Sequence, residues 1–231
     1  MSTDALHLLR LQAWLSPAFP VGGFSYSHGL EQAVELGWVS GRESLLDWLE
    51  TDLRHGAGRS DAILLAWSHR AASERDAEAL LDIAELAAAL RGTSELALES
   101  TAQGTSFLAT VRQAWPHPEL EALAGRLAEM GIQAAYPVVV GAACAVHGVP
   151  LAPALRFVLH AVVANYVAAS LRLLRLGQTD GQRIIAALED AVVETAAEAL
   201  TAGLDDVGSA SLSVDVASMR HETQYSRLFR S

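Results

Sequence analysis

Apolar residues recur at three- and four-residue spacing along most of the chain, and strand-like alternation is missing. Leu8, Leu11 and Leu15 fall on one face of a helix predicted over residues 4–15. Residues 16–23 (SPAFPVGG) break it, because two prolines and two glycines cannot continue a helix. A short helix is predicted over 27–36, stopping at Gly37. Ser40 and Glu43 have capping-box spacing, and Leu45, Leu46, Trp48, Leu49 and Leu53 follow on a face running to Gly56.

Further helices are predicted over 60–72, 76–90 and 95–114, closed by Ser73, Gly92 and Pro116. Pro118 opens a helix that ends at Gly131, Pro137 one to residue 147, and Pro153 a long one to residue 175. Thr179 and Gln182 form a second capping box, opening a helix to residue 201 before Gly203. Roughly ten helices with short connections predict an all-α fold: one compact domain over residues 1–210 and a C-terminal docking segment over 211–231.

Composition narrows the chemistry. Of 231 residues, 51% are apolar, which supports a substantial core. All 16 basic residues are Arg against 27 acidic ones, for a net charge of −11. The absence of Lys excludes a Schiff base and a P-loop lysine. An acidic chain with no basic block argues against nucleic acid or an anionic membrane as partner. Cys144 is the one cysteine, so no internal disulfide and no Cys-based zinc site can form, and a reduced, cytoplasmic setting is expected. Residues 1–4 lack the basic start of a signal peptide, and Arg10 interrupts the apolar stretch that follows. Residues 131–155 carry no charge, but Pro137, Gly141, Gly148, Pro150 and Pro153 cut their apolar runs too short to span a bilayer, so a soluble chain is expected.

The densest local signal is LSPAFPVGGFSYSHGLE at residues 15–31. Pro17 and Pro20 stiffen the loop, Gly22 and Gly23 permit positive φ, and Phe24 and Tyr26 bring large apolar area. Three readings stay open. The loop is a rigid turn in which Ser25 or Ser27 caps a helix. Alternatively, it is a partner-binding loop anchored by its rings. In the third, Ser25 or Ser27 is a nucleophile and His28 its base, in a small helical hydrolase, although no third orienting group is indicated.

Other constellations are sparser. The eight His are scattered without HxH or HxxxH spacing, and Cys144 with His147 three residues on reads as core, so no metal site of the chain's own is predicted. Neither GxxxxGK[ST] nor GxGxxG occurs, so no nucleotide site is predicted, which leaves room for an Arg offered to a nucleotide-hydrolysing partner. Arg156 and His160 are four apart on a helix that also carries Asn165 and Tyr166. They are either hydrogen-bonded internally or buried in an oligomer. Residues 216–231 hold three Arg and one Glu on an otherwise acidic chain. Met219, Tyr225, Leu228 and Phe229 there are too apolar for a free tail. Docking would stabilise it by roughly 1.5–3 kcal/mol per large side chain before ordering costs.

Four segments carry a resemblance: residues 15–31, ESTAQGTSFL at 99–108, LGQTDGQRI at 176–184, and SMRHETQYSRLF at 218–229. In order and spacing they resemble the urease accessory protein UreF family over nearly the whole chain. The resemblance implies an all-α protein that is not an enzyme. Such a protein binds the scaffold UreD (also called UreH), recruits the GTPase UreG, and serves nickel insertion into apo-urease as a homodimer within the complex. No stably bound cofactor is implied, since nickel is handled transiently and GTP is bound by the partner. By position, the family-motif loop comprises Pro17, Pro20, Gly22, Gly23, Phe24, Ser25, Tyr26, His28 and Glu31. Arg220, His221, Tyr225, Arg227 and Phe229 are the expected scaffold-binding residues, and Arg156 with His160 the expected dimer seam. The rival functions are the small Ser/His hydrolase and direct activation of the GTPase through an Arg.

Overall fold

A computed structural model describes residues 3–231. Among these residues twelve α-helices and two single 3-10 turns form one body without strands. The helices are α1 (Thr3–Trp14), α2 (Leu30–Glu35), α3 (Arg42–His55), α4 (Ala57–Glu74), α5 (Ala77–Ala89) and α6 (Ser94–Ala114). They continue with α7 (Pro118–Met130), α8 (Tyr136–Val146), α9 (Leu151–Leu173), α10 (Gln178–Ala187), α11 (Glu189–Ala199) and α12 (Leu212–His221). The 3-10 turns are Gly23–Ser25 and Leu204–Asp206.

The centre is α8 against α4. Ile63, Leu64, Leu65 and Ala66 of α4 are buried, as are Val138, Val139, Val140, Ala142, Ala143 and Cys144 of α8. Gly141 lets the two backbones touch: a Cβ there would lie 2.5 Å from the Leu65 carbonyl oxygen. Helices α6, α9 and α11 pack around this pair. At one end Trp14, Phe107 and Trp115 meet edge to face, and Phe19 packs on Phe107 with ring centres 5.4 Å apart. This aromatic cluster fastens the entry of the Pro17–Glu31 loop to α6.

Several expected boundaries shift for physical reasons. The helix expected from residue 27 begins at Leu30, because His28 and Gly29 are left-handed, with φ of 56° and 76°. Helix α4 starts at Ala57, earlier than expected, and runs to Glu74, where Arg75 closes it in a left-handed conformation. The helix expected over 179–201 is divided at Leu188, a buried residue whose φ of −93° and ψ of 0° depart from regular helix. The face expected on α1 is only partly apolar-in: Leu11 is buried and Leu8 is exposed.

The uncharged stretch 131–155 is shared between a loop, α8 and the first turn of α9. Helix α9 is the described helix that by length and composition alone could cross a membrane. Here Leu155, Val158, Leu159, Val163 and Val167 line its inward face, packed against neighbouring helices.

Candidate functional site

Three segments that lie far apart in sequence converge at one end of the body. The first is the loop before α2. Gly29 has φ +76°, and a Cβ on it would lie 2.9 Å from the backbone nitrogen of Ser218, so only glycine lets α12 approach this closely. The second is the N-terminal half of α6, where Glu95 and Glu99 share a buried face one turn apart. The third is residues 211–231, which fold back over the other two.

Glu31 organises the returning segment. Its carboxylate accepts the backbone amides of Leu228 at 2.7 Å and Phe229 at 2.8 Å. His221, fully buried, sits between two acids: Nδ1 lies 2.7 Å from Glu95 and Nε2 3.2 Å from Glu31. Both of its ring nitrogens thus face carboxylate oxygens. Arg227 donates to the second oxygen of Glu95 at 2.6 Å. At the N-terminus of α6, the Ser94 amide and hydroxyl both donate to Glu222. The Phe229 ring is buried beneath the Arg172 guanidinium, 4.1 Å from its centre, while Arg172 also donates to the Phe24 carbonyl.

The last residues close onto the motif loop. Arg230 donates its amide to the Ser25 carbonyl, and Ser27 gives both its amide and its hydroxyl to the Ser231 carbonyl. The Ser231 hydroxyl donates to Glu99 at 2.7 Å. Beneath it His28 is buried, with Nδ1 3.5 Å from Glu99 and Nε2 3.9 Å from Asp52. Buried His28 and His221 are thus set against carboxylates, while three large apolar side chains stay outside. Phe24 is 72% exposed, Leu228 61%, and Tyr225 fully so.

With this arrangement in view, the comparisons with known proteins are specific. The UreF family model matches residues 39–189. The chain is 53% identical over 224 residues to the urease accessory protein UreF of Rhodopseudomonas palustris strain TIE-1, covering 97% of this chain and 92% of that protein. It is 51% identical over 228 residues to the urease accessory protein UreF of Bradyrhizobium diazoefficiens, covering 99% and 93%. The chain belongs to the UreF family. UreF proteins are accessory proteins of urease and not enzymes.

The residues that the family motifs single out divide into two sets. His28, Glu31, His221 and Phe229 are buried in the network, with Tyr26 beside them in the core. Pro17, Pro20, Phe24, Arg220, Tyr225 and Arg227 are exposed, and Gly22, Gly23 and Ser25 are half-buried. No Ser/His pair forms: the Ser27 hydroxyl is committed to Ser231, and both His28 ring nitrogens face carboxylates. Arg156 and His160 are exposed on α9 and make no side-chain hydrogen bond or ion pair among the described residues. The third motif, at 176–184, opens α10 and packs on α9: Gly181 lies against Val167 and Leu171. No group of three or more His, Cys, Asp or Glu is placed to hold a metal among the described residues.

Glu95, Asp52 and Arg172 complete the site from outside the four motifs, and Glu99 opens the second motif, although the sequence assigns it no role of its own. Glu95 and Glu99 did leave a trace, as two acids one turn apart on a face that also carries Leu96. Asp52 and Arg172 left none, because only the fold brings α3 and α9 to this end.

Proposed function

We propose that this chain is an adaptor in assembly of the urease nickel centre, binding the UreD/UreH scaffold through its C-terminal segment and recruiting the GTPase UreG to apo-urease. In this reading nickel passes through the complex transiently, GTP stays with the partner, the chain works as a homodimer in the cytoplasm, and Arg156 with His160 lies at the dimer seam. One observation carries it. The segment that returns over the loop and α6 is fastened by the buried His221 and Phe229, yet Tyr225 and Leu228 stay exposed, as does Phe24 of the loop, together with Arg220, Arg227 and Arg230. Aromatic and arginine side chains held outward by a rigid frame are what a protein interface uses as anchors.

The test is co-purification with the scaffold. Deleting residues 218–231 should abolish it, but that deletion also strips His221 from Glu31 and Glu95. The double variant Tyr225→Ala, Leu228→Asp removes only exposed side chains. It should lower scaffold affinity at least tenfold while leaving helical circular dichroism unchanged. Undiminished binding by both variants would remove this surface from the scaffold interface.

A further inference from the structure

A cavity of about 290 Å³ opens between α5 and α7, over the central α4–α8 pair. Ala72 of α4 and Ala142 of α8 line its floor, Leu80 and Leu81 of α5 one side, and Leu120 and Leu123 of α7 the other. The short alanine side chains leave the space that the leucines do not fill. This site is remote from the C-terminal convergence. Ala57, whose amide donates to Asp52, opens α4, and Ala72 follows 15 residues on, about 20 Å along the helix.

The wall is apolar. Among the described residues, no buried side-chain nitrogen or oxygen that lacks a partner borders the cavity, so water inside it finds no such group to satisfy. Charge is confined to the rim and is balanced there. Arg75 pairs with Glu119 at 3.1 Å, Arg126 pairs with Glu78 at 2.8 Å, and Asp76 accepts the Ala79 amide as the cap of α5. Both ion pairs run from around the α4–α5 junction to α7, where Glu119 and Arg126 stand two turns, about 10 Å, apart on one face. A partner helix, itself about 10 Å wide, could not lie in this wedge without breaking both pairs. A small molecule passes between them. Arg75 is held at the rim against its backbone preference: with φ of 58°, it and His28 are the two non-glycine residues in the left-handed region among the described residues.

We propose that this cavity binds a small uncharged apolar molecule, which joins α7 to α5. The volume is roughly twice that of a ~150 Å³ apolar cavity able to take up benzene, which suits two fused rings or a short aliphatic chain. The balanced rim gives a charged ligand no net attraction, and a charge carried down among the leucines would lose its hydration without gaining a partner. Release of water from the apolar wall drives binding. The occupant touches leucines of both helices, so α7 is held more firmly to the body when the cavity is filled.

The site belongs to the chain by itself, so its test is separate from scaffold binding. Indole is the probe, titrated into the full chain and followed by amide NMR. Saturable shifts should appear at the residues lining the cavity, and hydrogen exchange across α7 should slow as indole is added. Ala72→Leu fills the floor and should weaken indole binding at least about tenfold. Ala122→Phe closes the cavity from its exposed rim and should do the same, which preserves the test if Ala72→Leu does not fold. Indole-3-acetate carries a carboxylate on the same ring system and should bind at least about tenfold more weakly than indole. The absence of saturable shifts at the lining residues would overturn the proposal. So would undiminished indole affinity in a folded variant, which would place the binding elsewhere. Indole-3-acetate binding as tightly as indole would overturn it too, by showing that the rim arginines recruit an acid.

Discussion

The carboxylate of Glu31 accepts the amide of Phe229 at 2.8 Å across 198 residues of chain. The same group takes the neighbouring amide of Leu228 and faces the His221 ring, so one side chain holds the returning segment at three points.

Glu31→Ala should therefore detach residues 222–231 without unfolding the body. Hydrogen bonds to a charged acceptor are worth about 1.5–3 kcal/mol, and several are lost together. Limited proteolysis should cut within 222–231 many times faster than in wild type, with helical circular dichroism nearly unchanged. Wild-type protease resistance would assign the docking to Phe229 burial instead.

Glycines give an opposed pair. Gly29→Ala combines a positive φ with a Cβ 2.9 Å from the α12 backbone, and should destabilise by roughly 2 kcal/mol or more. Gly125 lies in the interior of α7, where an added methyl group would meet nothing within 4 Å, so Gly125→Ala should stabilise by about 0.5–1 kcal/mol. Urea denaturation of both variants checks the sign. Equal effects would mean that α12 gives way without cost.

The exposed pair on α9 bears on self-association. Arg156→Ala combined with His160→Asp alters no side-chain hydrogen bond among the described residues, so the fold should persist. Light scattering should show the dimer shifting toward monomer. An unaltered mass would move the seam elsewhere.

Cys144 is fully buried in α8, and burial pushes its thiol up to about 12. Relative to an ordinary thiol, that leaves on the order of a thousandfold less thiolate near neutral pH. Alkylation by iodoacetamide should be negligible in the native chain and rapid in urea. Fast native labelling would contradict the packing of α8 on α4.

The helical frame was legible because its punctuation is local. Pro118 sits at the first turn of α7, and Gly131 closes it in the left-handed conformation, as their positions in the sequence foretold. The division at Leu188 was not legible, since the residues around it, IIAALEDAV, are good helix formers without Gly or Pro. There the packing of α10 and α11 overrides propensity. The same contrast runs through the site. Aromatic residues in a basic tail signalled docking, but the choice between folding back and reaching outward depended on Glu31, Glu95 and Glu99. Acids at 31 and 95 become neighbours only through the tertiary fold. His28 stood beside Ser27 in the sequence and suggested a nucleophile, yet its left-handed backbone turns the ring toward Asp52 and Glu99.

The bond between Ser27 and Ser231 joins positions 204 residues apart, so it can form only when almost the whole chain has been made. A chain emerging from the ribosome exposes residues 27–31 at the outset, and the acids of α6 midway, long before residues 221–231 are made. Until then Glu31 and Glu95 wait at one end of the nascent fold without the His221 and Arg227 side chains that face them. Biosynthesis thus produces a body that is helical and packed before it is electrostatically complete, with its final closure left to the latest residues to appear.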